Sequence, residues 1–308
     1  MSALEKTILG RTGIEVTVAG LGGGGFSRLG VDISDAHAAE IVRAAFDSGV
    51  NFFDTAMAYG TESAIALGLQ GISRDKYVLS TKFTYAGFDG KVLSPQAMTF
   101  ALDESLKRLD TDYIDVYHLH GVTADKYESV RDAFVPVLER AKQQGKIRAI
   151  GITEKFAADT QHVMLPMALK DDLFDVMMVG YNMLNPSAAK EIFPQTIAKN
   201  IGVLCMFAVR QTLHSLSTLR AAVEKAIDAG YGSPELIKSK GILSFLDLPT
   251  DAYRFCRHAP GVHVTLTGTK SKEHLMQNLD ALCQPALSDE TLDLLDKLFG
   301  DLSCISGQ

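Results

Sequence analysis

The chain has 308 residues, no tryptophan, four cysteines and nine prolines, and its 30 lysines and arginines are outnumbered by 37 aspartates and glutamates. Each shortage excludes something. Without tryptophan there is no indole to report ligand binding by fluorescence or to line a pocket. Cys205, Cys256, Cys283 and Cys304 stand far apart with no C-x-x-C spacing, which argues against a zinc ribbon, a redox pair or a disulfide framework. Free thiols in a reducing cytoplasm are expected instead. A net charge of -7 and a pI near 5.6 repel phosphate backbones and anionic lipid, so neither a nucleic acid nor a membrane surface is expected as a partner. No apolar run approaches the roughly 18 residues that span a bilayer, and the first residues show no basic-then-apolar leader, so neither a membrane span nor an export signal is expected.

What is present is ordinary for a globular protein: 46% hydrophobic, 22% charged, mean hydropathy +0.08. The length suits a fold of roughly 250 residues plus loops. No low-complexity stretch or break in composition divides the chain, so residues 1–308 are read as a single domain, as a monomer or a small homo-oligomer.

Short apolar runs alternate with longer amphipathic stretches, the pattern of repeated βα units around a parallel sheet. Strands are expected at Val16–Leu21, Val50–Asp54, Tyr77–Thr81, Tyr113–Leu119, Ile147–Ile152, Phe174–Val179, Gly202–Met206 and Val262–Thr267. Eight parallel strands make a (β/α)8 TIM barrel of the α/β class. Helix starts are marked by Ser94-Pro95 before Gln96–Leu109, by Asn185-Pro186-Ser187 before a helix running to Asn200, and by Pro249-Thr250-Asp251 before one running to His258. Leu4 to Val18, folded around Gly10-Arg11-Thr12-Gly13, predicts a short N-terminal β-hairpin under the barrel. Leu213 to Asp247 is too long for a simple crossover and predicts an extra helix and loop beside the site, with further helices at the C-terminal end.

Three ionisable residues fall at predicted strand ends on one rim: Asp54, Lys82 and His120. The C-terminal rim is where barrels gather reactive groups, because loops vary there while the core fixes the strand ends. Asp54 and Lys82 come from consecutive strands and would pair, with Tyr59 arching over them. A phenol ordinarily holds its proton to a pH near 10, and a neighbouring ammonium favours the phenolate, which makes a tyrosine a usable general acid or base. His120 would donate to a carbonyl oxygen beside it.

In order and spacing, Gly49-Val50-Asn51-Phe52-Phe53-Asp54-Thr55-Ala56, Tyr59-Gly60, Glu62, Ser80-Thr81-Lys82 and Tyr113-Ile114-Asp115-Val116-Tyr117 leading to His120 resemble the aldo-keto reductases. Leu9-Gly10-Arg11-Thr12-Gly13, Gly145 to Gly151 and Asn278-Leu279 extend the resemblance over nearly the whole chain, with a lean toward the L-galactose and D-threo-aldose dehydrogenase subgroup. The resemblance implies Asp54, Tyr59, Lys82 and His120 as the catalytic group, Tyr59 as proton donor, and a carbonyl or sugar substrate. It also implies a nicotinamide cofactor bound without a Rossmann domain, near backbone from Gly22 to Phe26, Gly23 and Gly24 included. Further cofactor contacts implied are Thr153, Met178, Met206, Phe207, Ala208, Arg210, Gly268, Thr269, Lys270, His274 and Asn278.

Departures sit among these. Thr153-Glu154 stands where the family places Ser-Asn, Met178 where it places Gln, and Met206, beside Phe207, where an aromatic is common. His274 replaces an arginine that grips a 2′-phosphate, which leans toward NAD, while Lys270 and Lys272 keep NADP open. Two alternatives remain: a nucleotide-binding regulatory module of the same fold, and a metal-dependent barrel hydrolase using His118 and His120, which share one face of a strand.

Overall fold

The computed structural model describes residues 4–24, 29, 32–87, 89–228, 230 and 245–307. Two strands, β1 (Lys6–Ile8) and β2 (Glu15–Thr17), pair antiparallel, and eight more close into a parallel barrel: β3 (Ala19–Gly22), β4 (Phe52–Asp54), β5 (Val78–Thr84), β6 (Ile114–Val122), β7 (Ile147–Glu154), β8 (Val176–Gly180), β9 (Gly202–Met206) and β10 (Val264–Thr267). β10 closes the ring on β3, with Thr265 opposite Ala19.

The hairpin plugs the barrel's N-terminal end. Leu9, Ile14 and Val16 join Phe52, Val78, Val116, Ala149, Val176 and Leu204, the first inward layer of the strands, in one buried cluster. The plug fits because Gly10 has no side chain: a Cβ there would meet the backbone carbonyl carbon of Ile201 at 2.6 Å, and its φ of +50° already favours glycine. The barrel strand begins three residues later than the apolar pattern suggests, at Ala19 instead of Val16. Val16 and Thr17 belong to the hairpin, and Val18 switches partners, donating its N–H to Glu5 O while its carbonyl accepts from Thr265 N. One period-2 run is thereby divided between two sheets, and the predicted first strand, Val16–Leu21, is corrected to Ala19–Gly22.

The helices among the described residues are α1 (Asp35–Asp47), α2 (Glu62–Leu69), α3 (Pro95–Arg108), α4 (Tyr127–Gln143), α5 (Met164–Asp171), α6 (Ser187–Glu191), α7 (Phe193–Ala198), α8 (Leu216–Asp228), α9 (Thr250–Arg257), α10 (Lys272–Cys283) and α11 (Asp289–Phe299). Ser94 caps α3 by accepting from Ala97 N, with Pro95 as its first residue, as the sequence predicts. The helix expected from Ser187 to Asn200 is broken in two at Ile192. Pro194 has no N–H to continue the α6 ladder and suits the first turn of a new helix. α8 is the extra helix expected between Leu213 and Asp247; the remainder of that expectation, 229 and 231–244, lies outside the described residues. α8 and α11 share a second core, with Leu219 and Val223 against Leu295, Leu298 and Phe299. No described helix is long and apolar enough to cross a membrane.

All four cysteines are free thiols. Cys205 and Cys256, remote in sequence, converge on the Tyr181 carbonyl at 3.5 and 3.3 Å.

Candidate active site

The strand registers build the site. Asp54 at the end of β4 lies opposite Ser80, Lys82 opposite His118, and Thr84 opposite His120. Because alternate residues share a face, Ser80 and Lys82 point with His118 and His120 to one side. β5 and β6 run past the predicted ends, so Lys82 and His120 are strand residues held by the ladder instead of loop residues beyond it.

Lys82 is 1% exposed and Asp54 3%. The Lys82 ammonium donates to both Asp54 oxygens at 2.7 Å and to Thr55 O at 2.5 Å, which commits all three of its protons. Its charge lies 5.1 Å from the centroid of the Tyr59 ring. Lys82 therefore acts on the phenol through its field and not through a hydrogen bond. Burial pushes the Asp54 carboxyl above the usual carboxylate range, and the Lys82 charge works against that push.

Tyr59 stands on a short 3-10 turn, Met57–Tyr59, closed by Gly60 at φ +71°. The turn is tied down from both sides. Thr61 and Thr55 hydroxyls meet at 2.7 Å, and Glu62, the first residue of α2, accepts from Thr81 Oγ1 and Arg108 Nε at 2.7 Å each. The Tyr59 hydroxyl lies 3.3 Å from His120 Nε2, with the rings edge-on at 5.4 Å. Burial, reinforced by the Lys82 charge, pushes His120 down to about 3, so it is a neutral imidazole near neutral pH. The structure thus brings Asp54, Tyr59, Lys82 and His120 together.

His118, fully buried, lies 3.1 Å from Ser80 Oγ through Nε2. Ser80 gives its own proton to Asp54 Oδ1 at 2.7 Å, so His118 carries its proton on Nε2 and donates. It is an inward-packed support for Asp54. Among the described residues no three His, Cys, Asp or Glu side chains are grouped to hold a metal ion.

The two histidines make a testable link to stability. Burial is the main cause that holds His118 well below its usual value, as it is for His120, which is partly exposed and is screened accordingly. The unfolded chain takes these protons first as pH falls below about 6.5, so folding stability is expected to drop between pH 7 and pH 5. Each fully buried imidazole contributes up to about 1.4 kcal/mol per pH unit. Urea midpoints at the two pH values check this; equal midpoints would contradict it.

A cavity of about 590 Å³ opens beside this group, lined at one end by Asp54 and Tyr59. Of the implied cofactor contacts, Gly24, Met178, Met206, Phe207 and Ala208 line it, as do Arg210, Gly268, Thr269, Lys270, His274 and Asn278. Gly24 is held against the Tyr59 ring: a Cβ there would stand 2.6 Å from Cε2 and Cζ. Gly24→Ala is therefore expected to tilt the ring and lower turnover on the order of 10²-fold, the usual cost of about 1 Å of misplacement. A kcat within twofold of the parent protein would refute that contact's importance.

Gly23 and Thr153 do not line the cavity. Gly23 N donates to Asp54 O at 2.7 Å, and Thr153 Oγ1 accepts from Gly121 N at 2.7 Å, filling the irregularity in the β6–β7 ladder beside His120. Glu154 is turned into the protein, where burial raises its carboxyl pKa; it contacts His162 Nδ1 at 2.9 Å and accepts from Gly180 N at 2.7 Å. Gly25 and Phe26 lie outside the described residues.

Two cavity-lining residues, Tyr253 and Gln277, are not among the expected contacts. Tyr253 of α9 meets Thr267 Oγ1 at 2.9 Å, and Asn278 Nδ2 donates to the same oxygen at 2.8 Å. Gln277, beside Asn278, also lines the cavity. Only the spacing of His274, Gln277 and Asn278 at i, i+3 and i+4, one helical face, could have flagged that wall.

The description "Aldo/keto reductase family" belongs to the family model that matches residues 19–299. L-galactose dehydrogenase from Arabidopsis thaliana is 30% identical over 213 residues, 66% of this chain and 65% of that protein. D-threo-aldose 1-dehydrogenase from Pseudomonas sp is 26% identical over 226 residues, 62% of this chain and 65% of that protein. The match thus spans about 65% of the length of these curated relatives. Among solved structures, aldo-keto reductase AKR11C1 from Bacillus halodurans (holo form) superposes with a TM-score of 0.73 over 96% of both chains at 24% identity, a likeness of fold.

Proposed function

The chain belongs to the aldo/keto reductase family, and from that membership we propose that it catalyses reversible NAD(P)-dependent oxidoreduction of a carbonyl or sugar substrate, with Tyr59 as the proton-transferring residue. The observation that carries the reading is the fixed Lys82 ammonium 5.1 Å from the Tyr59 ring, beside a neutral His120 whose Nε2 is 3.3 Å from the Tyr59 hydroxyl.

The cavity fits a nicotinamide nucleotide. Its volume of about 590 Å³ is within the usual range for ligand sites. Gly24 and Gly268 let the backbone pack closely at the cavity's edge, a Cβ standing 2.6 Å from the Tyr59 ring at Gly24 and 3.1 Å from Gly22 O at Gly268. Met178, Met206 and Phe207 offer apolar wall to the nicotinamide end, and Thr269, Lys270, His274 and Asn278 surround the first turn of α10, where free N–H groups and the helix dipole favour phosphate. Bound there, the nicotinamide would supply or accept the hydride.

The residues do the rest. Tyr59 O–H and His120 Nε2–H hold the carbonyl oxygen, and Tyr59 gives up its proton as negative charge develops there. The phenolate left behind is stabilised by Lys82, which Asp54 and Thr55 O keep from turning away. The reverse direction returns the proton from the alcohol to Tyr59. His118, half of the metal alternative, uses its Nε2 on Ser80. His274 favours NAD, as its imidazole is a weaker clamp for a 2′-phosphate than an arginine fork. The four thiols fit a cytoplasmic protein, acting as a monomer or a small homo-oligomer.

The test is absorbance at the nicotinamide band, pairing NADH and NADPH with simple aldehydes, and NAD and NADP with aldoses. Turnover with one nucleotide supports the reading and sets the preference; nucleotide binding without turnover across the panel would favour a regulatory module.

A further inference from the structure

Arg210 stands in the loop that leaves β9. Its guanidinium lies 3.8 Å from the centroid of the Phe207 ring, and it lines the same cavity as Asp54 and Tyr59. Among the described residues, the other half-buried arginines each face an oxygen: Arg74 meets Asp115, Arg108 meets Glu62, Arg131 meets Asp171, Arg254 meets Asp251, Arg257 meets Glu5, and Arg43 meets the Gln70 carbonyl. Arg210 has no hydrogen bond or ion pair to any described carboxylate or carbonyl, and its guanidinium lies over the ring. Covering a guanidinium face with an aromatic leaves the N–H groups at its edge free to donate in the plane.

The position is costly to hold. Phe207 and Arg210 are both left-handed, at φ +70° and +48°, without being glycine. Buried Asn182 fixes the first of them, donating to Phe207 O at 3.2 Å. Such strain persists where surrounding structure imposes it, and it gathers at ligand sites. Burial also lowers the pKa of the Arg210 guanidinium, and the nearby Tyr59 works against that push.

A partly desolvated guanidinium in a cavity, without an oxygen partner among the described residues, calls for an oxyanion, which it can grip in bidentate fashion. The nucleotide's phosphates have a different wall, Lys270 and the first turn of α10. The charge of -7 on the whole chain would not draw an anionic substrate, so a local cation must select it.

We propose that Arg210 is the specificity-determining residue for substrates that carry a carboxylate or phosphate group in addition to the reacting carbonyl, the oxyanion pairing with Arg210 while the carbonyl oxygen sits at Tyr59. This rests on the reductase reading above, and it moves Arg210 from the cofactor, to which the family resemblance assigns it, to the substrate.

Succinic semialdehyde and butanal, four-carbon aldehydes that differ by a carboxylate, provide the test, together with calorimetric binding of succinate to the nucleotide-loaded protein. In Arg210→Gln the ratio of kcat/KM for succinic semialdehyde over butanal is expected to fall on the order of 10–100-fold, the usual effect of losing a charged hydrogen-bond pair. Succinate binding should weaken to match, and Arg210→Lys should recover part of both. An unchanged ratio with weakened NADH or NADPH binding would overturn the proposal in favour of a cofactor contact. An unchanged ratio and unchanged succinate binding would reduce Arg210 to packing on Phe207. If the parent protein turns over neither aldehyde, the reductase reading fails for these substrates, and succinate binding alone decides: weakened in Arg210→Gln it supports the anion site, equal in both it overturns it.

Discussion

Tyr59→Phe is expected to lower turnover about 10³-fold, within the 10²–10⁴ usually supplied by a positioned acid or base, while nucleotide affinity changes by less than about threefold, since only one hydroxyl is lost. The substitution is clean for a structural reason. Phenylalanine keeps the ring that packs on Gly24, the edge-on contact with His120 and the aromatic face toward Lys82. Steady-state kinetics beside a nucleotide titration separate the two quantities. Near-parental turnover would remove Tyr59 from proton transfer, and a parallel collapse of nucleotide binding would make its role structural.

Lys82→Met is expected to be damaging in two separable ways. Asp54 is 3% exposed, and without Lys82 it keeps only the Ser80 hydroxyl among its present side-chain donors. Breaking a buried pair from one side usually costs about 3–5 kcal/mol, because the remaining charge has no partner. The carboxyl, already raised by burial, would take up a proton to reduce that penalty. Turnover is expected to fall by about 10²-fold or more through the lost field at Tyr59. Adding Asp54→Asn separates these effects: the double variant should regain much of the stability, measured by urea unfolding, and none of the turnover. Recovery of both would mean that the pair serves only the fold.

The convergence of Asp54, Lys82 and His120, three of the four residues proposed as catalytic, was legible because each ends a short apolar run. Val50-Asn51-Phe52-Phe53 delivers Asp54, and equivalent runs deliver Lys82 and His120 to the same rim. Strand order and the hairpin were legible for the same local reasons. What was not legible depends on residues that choose among distant partners. Val18 divides its hydrogen bonds between two sheets, which no periodicity records. Glu154, adjacent to a predicted cofactor residue, is drawn inward by His162 and by the Gly180 N–H. Phe207 and Arg210 adopt left-handed backbone that their residue types do not advertise, and Asn182 holds the first of them from another loop. Tyr253 reaches the cavity only because α9 packs beside α10, a tertiary fact with no sequence spacing behind it.

The most direct test of the central claim is transfer of deuterium from the C4-deuterated nicotinamide of NADH or NADPH to an aldehyde substrate, read by mass spectrometry of the alcohol product. The expected result is one deuterium on the carbinol carbon with the parent protein and its near-absence with Tyr59→Phe under the same conditions. Product alcohol that carries no deuterium, or equal labelling by both proteins at equal rates, would contradict it.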